Sequence, residues 1–265
     1  MSRAKIILIL VLAILLLPLL LWPFLKPAPP EFLNNKAPAY QTLQRAANSL
    51  GNINPKPSAD ELAEDAGSNA AALKILREAL NQPFQLPEEA YSQSTIDKVI
   101  GNIGSFKTLA IVLKNEGLAA EQRNQTTNAV ASYLDLIRFG QKIESGLLIF
   151  ALIGVSIERM GVEALTAIEW KIEPPLRAQI AAELRSLNSK RVPFPQIEEG
   201  ERFILRRSSP TPIHFLILRR AVRPAIEKGK VKYDQASKDL ETLAAKFDQP
   251  SAASREPQPN TKKNQ

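Results

Sequence analysis

No proline lies between Pro87 and Pro174, although the chain of 265 residues has 20 of them. Proline lacks the amide donor a helix interior needs, and its ring clashes with the preceding turn. An uninterrupted interval of this length therefore predicts a block of consecutive helices. Inside it Phe106, Leu109, Ala110 and Leu113 recur at i, i+3, i+4, i+7. Val130, Tyr133, Leu134 and Ile137 repeat that spacing, as one buried helix face does. The polar "RNQTTN" separates the two runs and "FGQKIESG" ends the second, so they read as an αα-hairpin. No sustained period-two alternation between turn dipeptides is found, so strands are not expected. The predicted fold class is all-α.

Two apolar runs raise the question of a membrane. Residues 6–25 are uncharged and nearly all apolar, with Arg3 and Lys5 before them and Lys26 after. At about 1.5 Å per residue the run reaches roughly 30 Å, a bilayer core. Trp22 and Phe24 fall near one end, where aromatic rings suit the interface. A cleaved signal is the alternative, but the run exceeds the usual apolar region, and "KPAPP" is a poor cleavage context. The reading is an uncleaved signal anchor. Two basic residues before it against one after place the N-terminus in the cytoplasm and the body outside the inner membrane, as a single-pass protein.

The second run, Ser145–Ile157, gives roughly 20 Å of helix, short of a bilayer core. Extending it takes in Glu158, Arg159 and Glu163, each costing about 2.5–3.5 kcal/mol near the membrane centre. It reads as the central helix of a bundle. A second crossing is the alternative, favoured only by the basic charge of the C-terminal third. Residues 27–175 carry a net −4 and residues 176–265 a net +8 within an overall +7.

The remaining chain divides at its breakers. Residues 1–26 form the membrane anchor and 27–57 a Pro-rich spacer with one short helix in "APAYQTLQRAANSLG". Residues 58–247 form a helical domain, and 248–265 have almost nothing to bury and read as a disordered tail. "SADE", Ser58 to Glu61, fits a capping box opening the helix that carries Leu73, Leu76 and Leu80. "GVEALTAIEW" gives a helix after the apolar run. Pro174-Pro175 starts the next, lined by Leu176, Ile180, Leu184 and Leu187. "RVPFPQ" and "SSPTP" flank another, and Pro224 is expected to interrupt the last.

Successive hairpins of this kind resemble tetratricopeptide-like α-solenoids, most closely at "AVASYLDLIRFGQ". The Trp-Leu-Gly-Tyr signature and a 34-residue period are missing. "NAAALKILREAL", "YLDLIRFGQ" and "GLLIFALIGVSIERMG", behind an N-terminal anchor, resemble uncharacterised bacterial membrane-anchored helical proteins. That resemblance implies an α-solenoid-like or irregular multi-helix body and no activity.

The residue inventory narrows the chemistry. There is no cysteine and one histidine, His214, so no thiolate nucleophile, disulfide or multi-His zinc site can be built. No phosphate-cradling loop, nucleophile elbow or zincin motif occurs, and no cofactor or metal site is expected. Carboxylates are the one generic catalytic option. Glu158 and Glu163, about 5–9 Å apart in a cleft, would make an acid–base pair; otherwise Glu158 pairs with a neighbour and Glu163 faces water. Glu198, Glu199 and Glu201 read as a solvated helix face, with Glu198 four residues before Arg202. His214 reads as a partly buried packing residue.

The sharpest surface feature is "RRSSPTPIHFLILRRAVRPAIEKGKVK". Its candidate polyanion contacts are Arg206, Arg207, Arg219, Arg220, Arg223, Lys228, Lys230 and Lys232. An anionic lipid or an acidic envelope polymer would suit them. Aromatics are too sparse for stacking on single-stranded nucleic acid, so nucleic acid is not expected. The plainer alternative is a solvated basic helix that packs Phe215, Leu216 and Leu218 into the body. The functional expectation is a membrane-tethered extracytoplasmic interaction or scaffold protein without catalytic activity, meeting a protein or peptide partner. The alternative is a polyanion- or lipid-headgroup-contacting envelope protein that uses the basic helix, followed by a carboxylate-based enzyme.

Overall fold

The computed structural model describes residues 30, 38–51, 53–54, 57–87 and 96–249. The expected anchor at 6–25, residues 27–29, 31–37, 52 and 55–56 of the Pro-rich spacer, and the tail from residue 250 lie outside the described residues. Nine α-helices are described, in order: α1 (Ala39–Asn48), α2 (Glu61–Ser68), α3 (Ala70–Leu80), α4 (Ile96–Gln122), α5 (Thr126–Ile143), α6 (Leu148–Ala167), α7 (Pro174–Ser189), α8 (Phe194–Ser208) and α9 (Pro212–Asp248). A 3₁₀ turn, Glu169–Lys171, joins α6 to α7. Among the described residues there is no strand, as the missing period-two alternation implies. None of these helices is long and apolar enough to cross a membrane.

The proline-free interval folds into α4, α5 and α6. α4 and α5 form the expected hairpin, turned by Asn124 in the left-handed region (φ 57°), a conformation asparagine tolerates better than most residues. Phe106, Leu109, Ala110 and Leu113 of α4 are fully buried. On α5, Val130, Tyr133 and Ile137 are buried while Leu134 is only partly covered. Phe106 and Phe139 meet edge-to-face at 6.4 Å, and Tyr40 of α1 adds a second such contact at 6.0 Å. α1 thus packs into the same core as the helices beyond residue 58.

α6 explains the second apolar run. It lies between α5 and α9 and buries Phe150, Ala151, Ile153 and Ile157. Burial of Phe150, Ile153 and Ile157 contributes about 1.5–3 kcal/mol each. Coverage on two sides lets the helix be apolar nearly all round. It also absorbs "GVEALTA", expected as a separate helix. Gly161 falls mid-helix because α5 passes so close that a Cβ there would stand 2.7 Å from the Tyr133 carbonyl oxygen.

Three other boundaries differ from expectation or refine it. Glu61 does reach back to the Ser58 amide (2.8 Å), but the helix it opens stops at Ser68. There the buried Asn69 donates to the Asp65 carbonyl at 2.9 Å and accepts from Gly51 N–H at 2.9 Å, making a joint before α3. At the other end, α9 runs through Pro224 without a break. Pro224 is exposed, so the carbonyl it frees can bond water. The C-terminal half of α9 is held by Arg177 of α7, which donates to the Lys246 carbonyl and lies 5.2 Å over the Phe247 ring. A cation at a helix C-terminus also complements the dipole.

Candidate functional site

The α5–α6 crossing brings two acids into the interior. Gly140 and Gly154 face each other there; a Cβ on Gly154 would meet the Gly140 carbonyl oxygen at 2.4 Å. That close approach sets Glu144, just past α5, beside Glu158 of α6. Both are buried, at 0% and 1% exposure. Arg191, from the α7–α8 link, reaches both: Nη1 lies 3.3 Å from Glu144 Oε1, and Nη2 donates to Glu158 Oε2. The guanidinium also lies 4.9 Å over the Tyr233 ring of α9, whose hydroxyl donates to the Val192 carbonyl. One cation therefore joins four segments of chain.

Two carboxyls share one guanidinium, and Glu144 Oε2 is buried without a partner. Burial, reinforced by the charge of Glu158, holds the Glu144 carboxyl well above the usual range. Burial also raises Glu158, while Arg191 draws it back down. The pair accordingly binds a proton more readily than two exposed carboxylates would. Burial and the nearby Glu144 push the Tyr233 phenol up as well.

A third inward acid is Glu201 of α8, expected on a solvated face. Its Oε1 accepts from the Leu148 amide at 2.6 Å, so it caps the first turn of α6. Burial raises its pKa despite that bond. The approach requires Gly200 against Gly146, where a Cβ would fall 1.7 Å from the Gly146 carbonyl oxygen; Gly146 itself has φ 69°.

Glu158 and Glu163 do not converge. Glu163 turns outward, 61% exposed, and pairs with Arg159 at 2.8 Å. Glu158 borders a cleft of about 260 Å³ between α6 and α9, with Lys232 and Asp239 on its far wall. Its carboxylate is nevertheless engaged by Arg191. This is the geometry of an internal ion cluster. No group of His, Asp or Glu among the described residues is arranged to hold a metal ion.

The eight basic candidates separate into groups. Arg219, Arg220 and Arg223 line one groove of about 720 Å³ between α8 and α9, joined there by Arg202, Glu198 and Glu227. Its apolar floor is Leu205, Leu216 and Ile226. Arg223 bonds Glu227 at 2.8 Å on an exposed face. Lys228, Lys230 and Lys232 continue outward along α9, while Arg206 is half-buried and Arg207 stacks over Phe203 at 5.9 Å. His214 sits three residues into α9; its amide donates to Thr211 Oγ1 at 3.1 Å, capping the helix. Phe215 and Leu218 are partly covered, but Leu216 stays 59% exposed beside Ile213 and Ile217, each 60% exposed.

Glu144, Arg191 and Glu201 carry no local signal that would single them out. Their partners lie 47, 33 and 53 residues away in sequence. Arg202 was legible only as the i+4 neighbour of Glu198. No protein-family model, no curated protein and no solved structure matches the chain.

Proposed function

We propose that this is a membrane-tethered, non-enzymatic interaction module whose working surface is the α8–α9 end of its helical body. In this reading residues 6–25 anchor the chain, Arg3 and Lys5 keep the N-terminus in the cytoplasm, and the body lies outside. The observation that carries it is the distribution of exposed apolar residues. Of seven large hydrophobics left exposed among the described residues, four lie on α9: Ile213, Leu216, Ile217 and Val231. They lie among Arg219, Arg220 and Arg223, so the surface suits a partner presenting apolar groups beside negative charge. The non-enzymatic part is supported by the acids. Glu144, Glu158 and Glu201 are turned inward on Arg191 and on the α6 N-terminus instead of gathering in an open pocket.

The test uses the lack of native cysteine. Ile217→Cys and Trp170→Cys each give one thiol, the second on the 79%-exposed 3₁₀ turn. In native membranes a maleimide should modify residue 217 more slowly than residue 170, and the two should become equal after detergent extraction. Equal reactivity in native membranes would mean that α9 covers nothing.

A further inference from the structure

We infer that the outward stripe of the N-terminal half of α9 rests on an anionic bilayer surface. This builds on the reading of α9 as the contact surface and names what lies against it. From Pro212 to Lys228 no residue of α9 is buried; the first is Gly229. Successive helical residues turn by about 100°, so Ile213, Ile217, Pro224 and Val231 fall on one line, to one side of the α8–α9 groove. Ile213, Ile217 and Val231 are 60%, 60% and 69% exposed. Arg219, Arg223 and Lys230 run along one flank of that line and Lys228 and Lys232 along the other, with Arg220 within it.

Cations on both flanks of an apolar stripe are what a helix lying in a lipid interface requires. The aliphatic side chains enter the acyl boundary, and the long basic side chains extend their charges to headgroup phosphates. Between Pro212 and Lys232 six Lys and Arg face a single acid, Glu227, and that acid is bonded to Arg223. The same charge argues against a second copy of the chain, which would bring like cations together. An acidic peptide would seek the adjoining α8–α9 groove, whereas the stripe lies to one side of it and carries exposed Ile213, Ile217 and Val231.

The experiment uses the full chain carrying Ile217→Cys with a polarity-sensitive fluorophore. It is reconstituted with vesicles of phosphatidylcholine alone, or of phosphatidylcholine mixed with phosphatidylglycerol, containing a lipid-borne quencher. Trp170→Cys is the control. Lys246 near the end of α9 bonds Glu169, so the control sits beside the C-terminal end of α9, beyond the stripe of Ile213, Ile217 and Val231. Residue 217 should shift to the blue and be quenched only with phosphatidylglycerol, and high salt should reverse it. Residue 170 should not respond. Replacing Arg219, Arg220 and Arg223 by Gln should weaken docking on the order of 100-fold, from the usual contribution of each cation near an anionic surface. A label at 217 that stays in water, or is quenched equally without phosphatidylglycerol, overturns the inference. If such a label is nonetheless masked from maleimide in native membranes, α9 is a contact surface whose occupant is a protein. If it is unmasked in both, the contact-surface reading fails too.

Discussion

Replacing Glu144 by Gln should stabilise the protein at neutral and alkaline pH. Glu144 and Glu158 are both interior, and Arg191 is the one cation among the described residues that bonds them. Two ionised carboxylates would leave one buried negative charge uncompensated, so burial raises both acids, Glu144 well above its ordinary range. Its folded pKa is raised above the unfolded value of about 4.3. Over that window the folded state binds more protons than the unfolded one, so stability falls as pH rises. The contribution is complete below about pH 4.3 and is lost up to the raised folded pKa, at about 1.4 kcal/mol per pH unit. Gln keeps the shape and the acceptor for Arg191 Nη1 but cannot ionise. Urea unfolding of both proteins by circular dichroism, across about pH 4 to 8, reads the titration of the Glu144–Glu158 pair, because Gln also relieves Glu158 of its acidic neighbour while Glu201 is the same in each. The two should nearly match at the acid end, and E144Q should gain by up to about 1.4 kcal/mol per unit above it. E144Q that is less stable than wild type by a constant amount at every pH would show instead that Glu144 is charged in the fold.

Further predictions concern the same architecture. Arg191→Met leaves both acids without their cation and should cost about 3–5 kcal/mol at pH 7 in the same unfolding assay. Gly154→Ala places a Cβ 2.4 Å from the Gly140 carbonyl oxygen and 2.5 Å from Glu144 Cγ; overpacking there should cost about 1–3 kcal/mol or more, read as a lower thermal midpoint. Asn69→Ala removes the acceptor of Gly51 N–H and the donor to Asp65, and should lose about 1–3 kcal/mol in urea unfolding. Trp170→Ala, at a residue 79% exposed, should change stability by less than about 0.5 kcal/mol.

Helix content was legible because it depends on local pattern. The proline-free interval and the spacing of Phe106, Leu109, Ala110 and Leu113 report which face a helix buries, and α4 buries that face. Leu134 shows the limit: α5 is covered on more than one side, so period alone misplaces part of its buried surface. The Asn69 joint was hidden because a buried amide pairing with Gly51 depends on a chain 18 residues away. Pro224 misleads in the other direction, since an exposed proline interrupts a helix less than a buried one. The interior acids were least legible. Glu144 reads as the last polar residue of a helix and Arg191 as part of a break, and only the α5–α6 crossing at Gly140 and Gly154 makes them partners. The basic stretch was visible as composition, but which of its residues share the groove depends on α8 packing through Phe194 and Ile197 onto α6 and Tyr233.

In this architecture α6 is the core of one helical body and not a second crossing. Topology reporters active only outside the cytoplasm, fused after Gln141, after Lys190 and at the C-terminus, test this directly. Activity is expected at all three positions. Activity after Gln141 with silence at the other two would put α6 across the membrane and the basic face of α9 in the cytoplasm, contradicting that architecture.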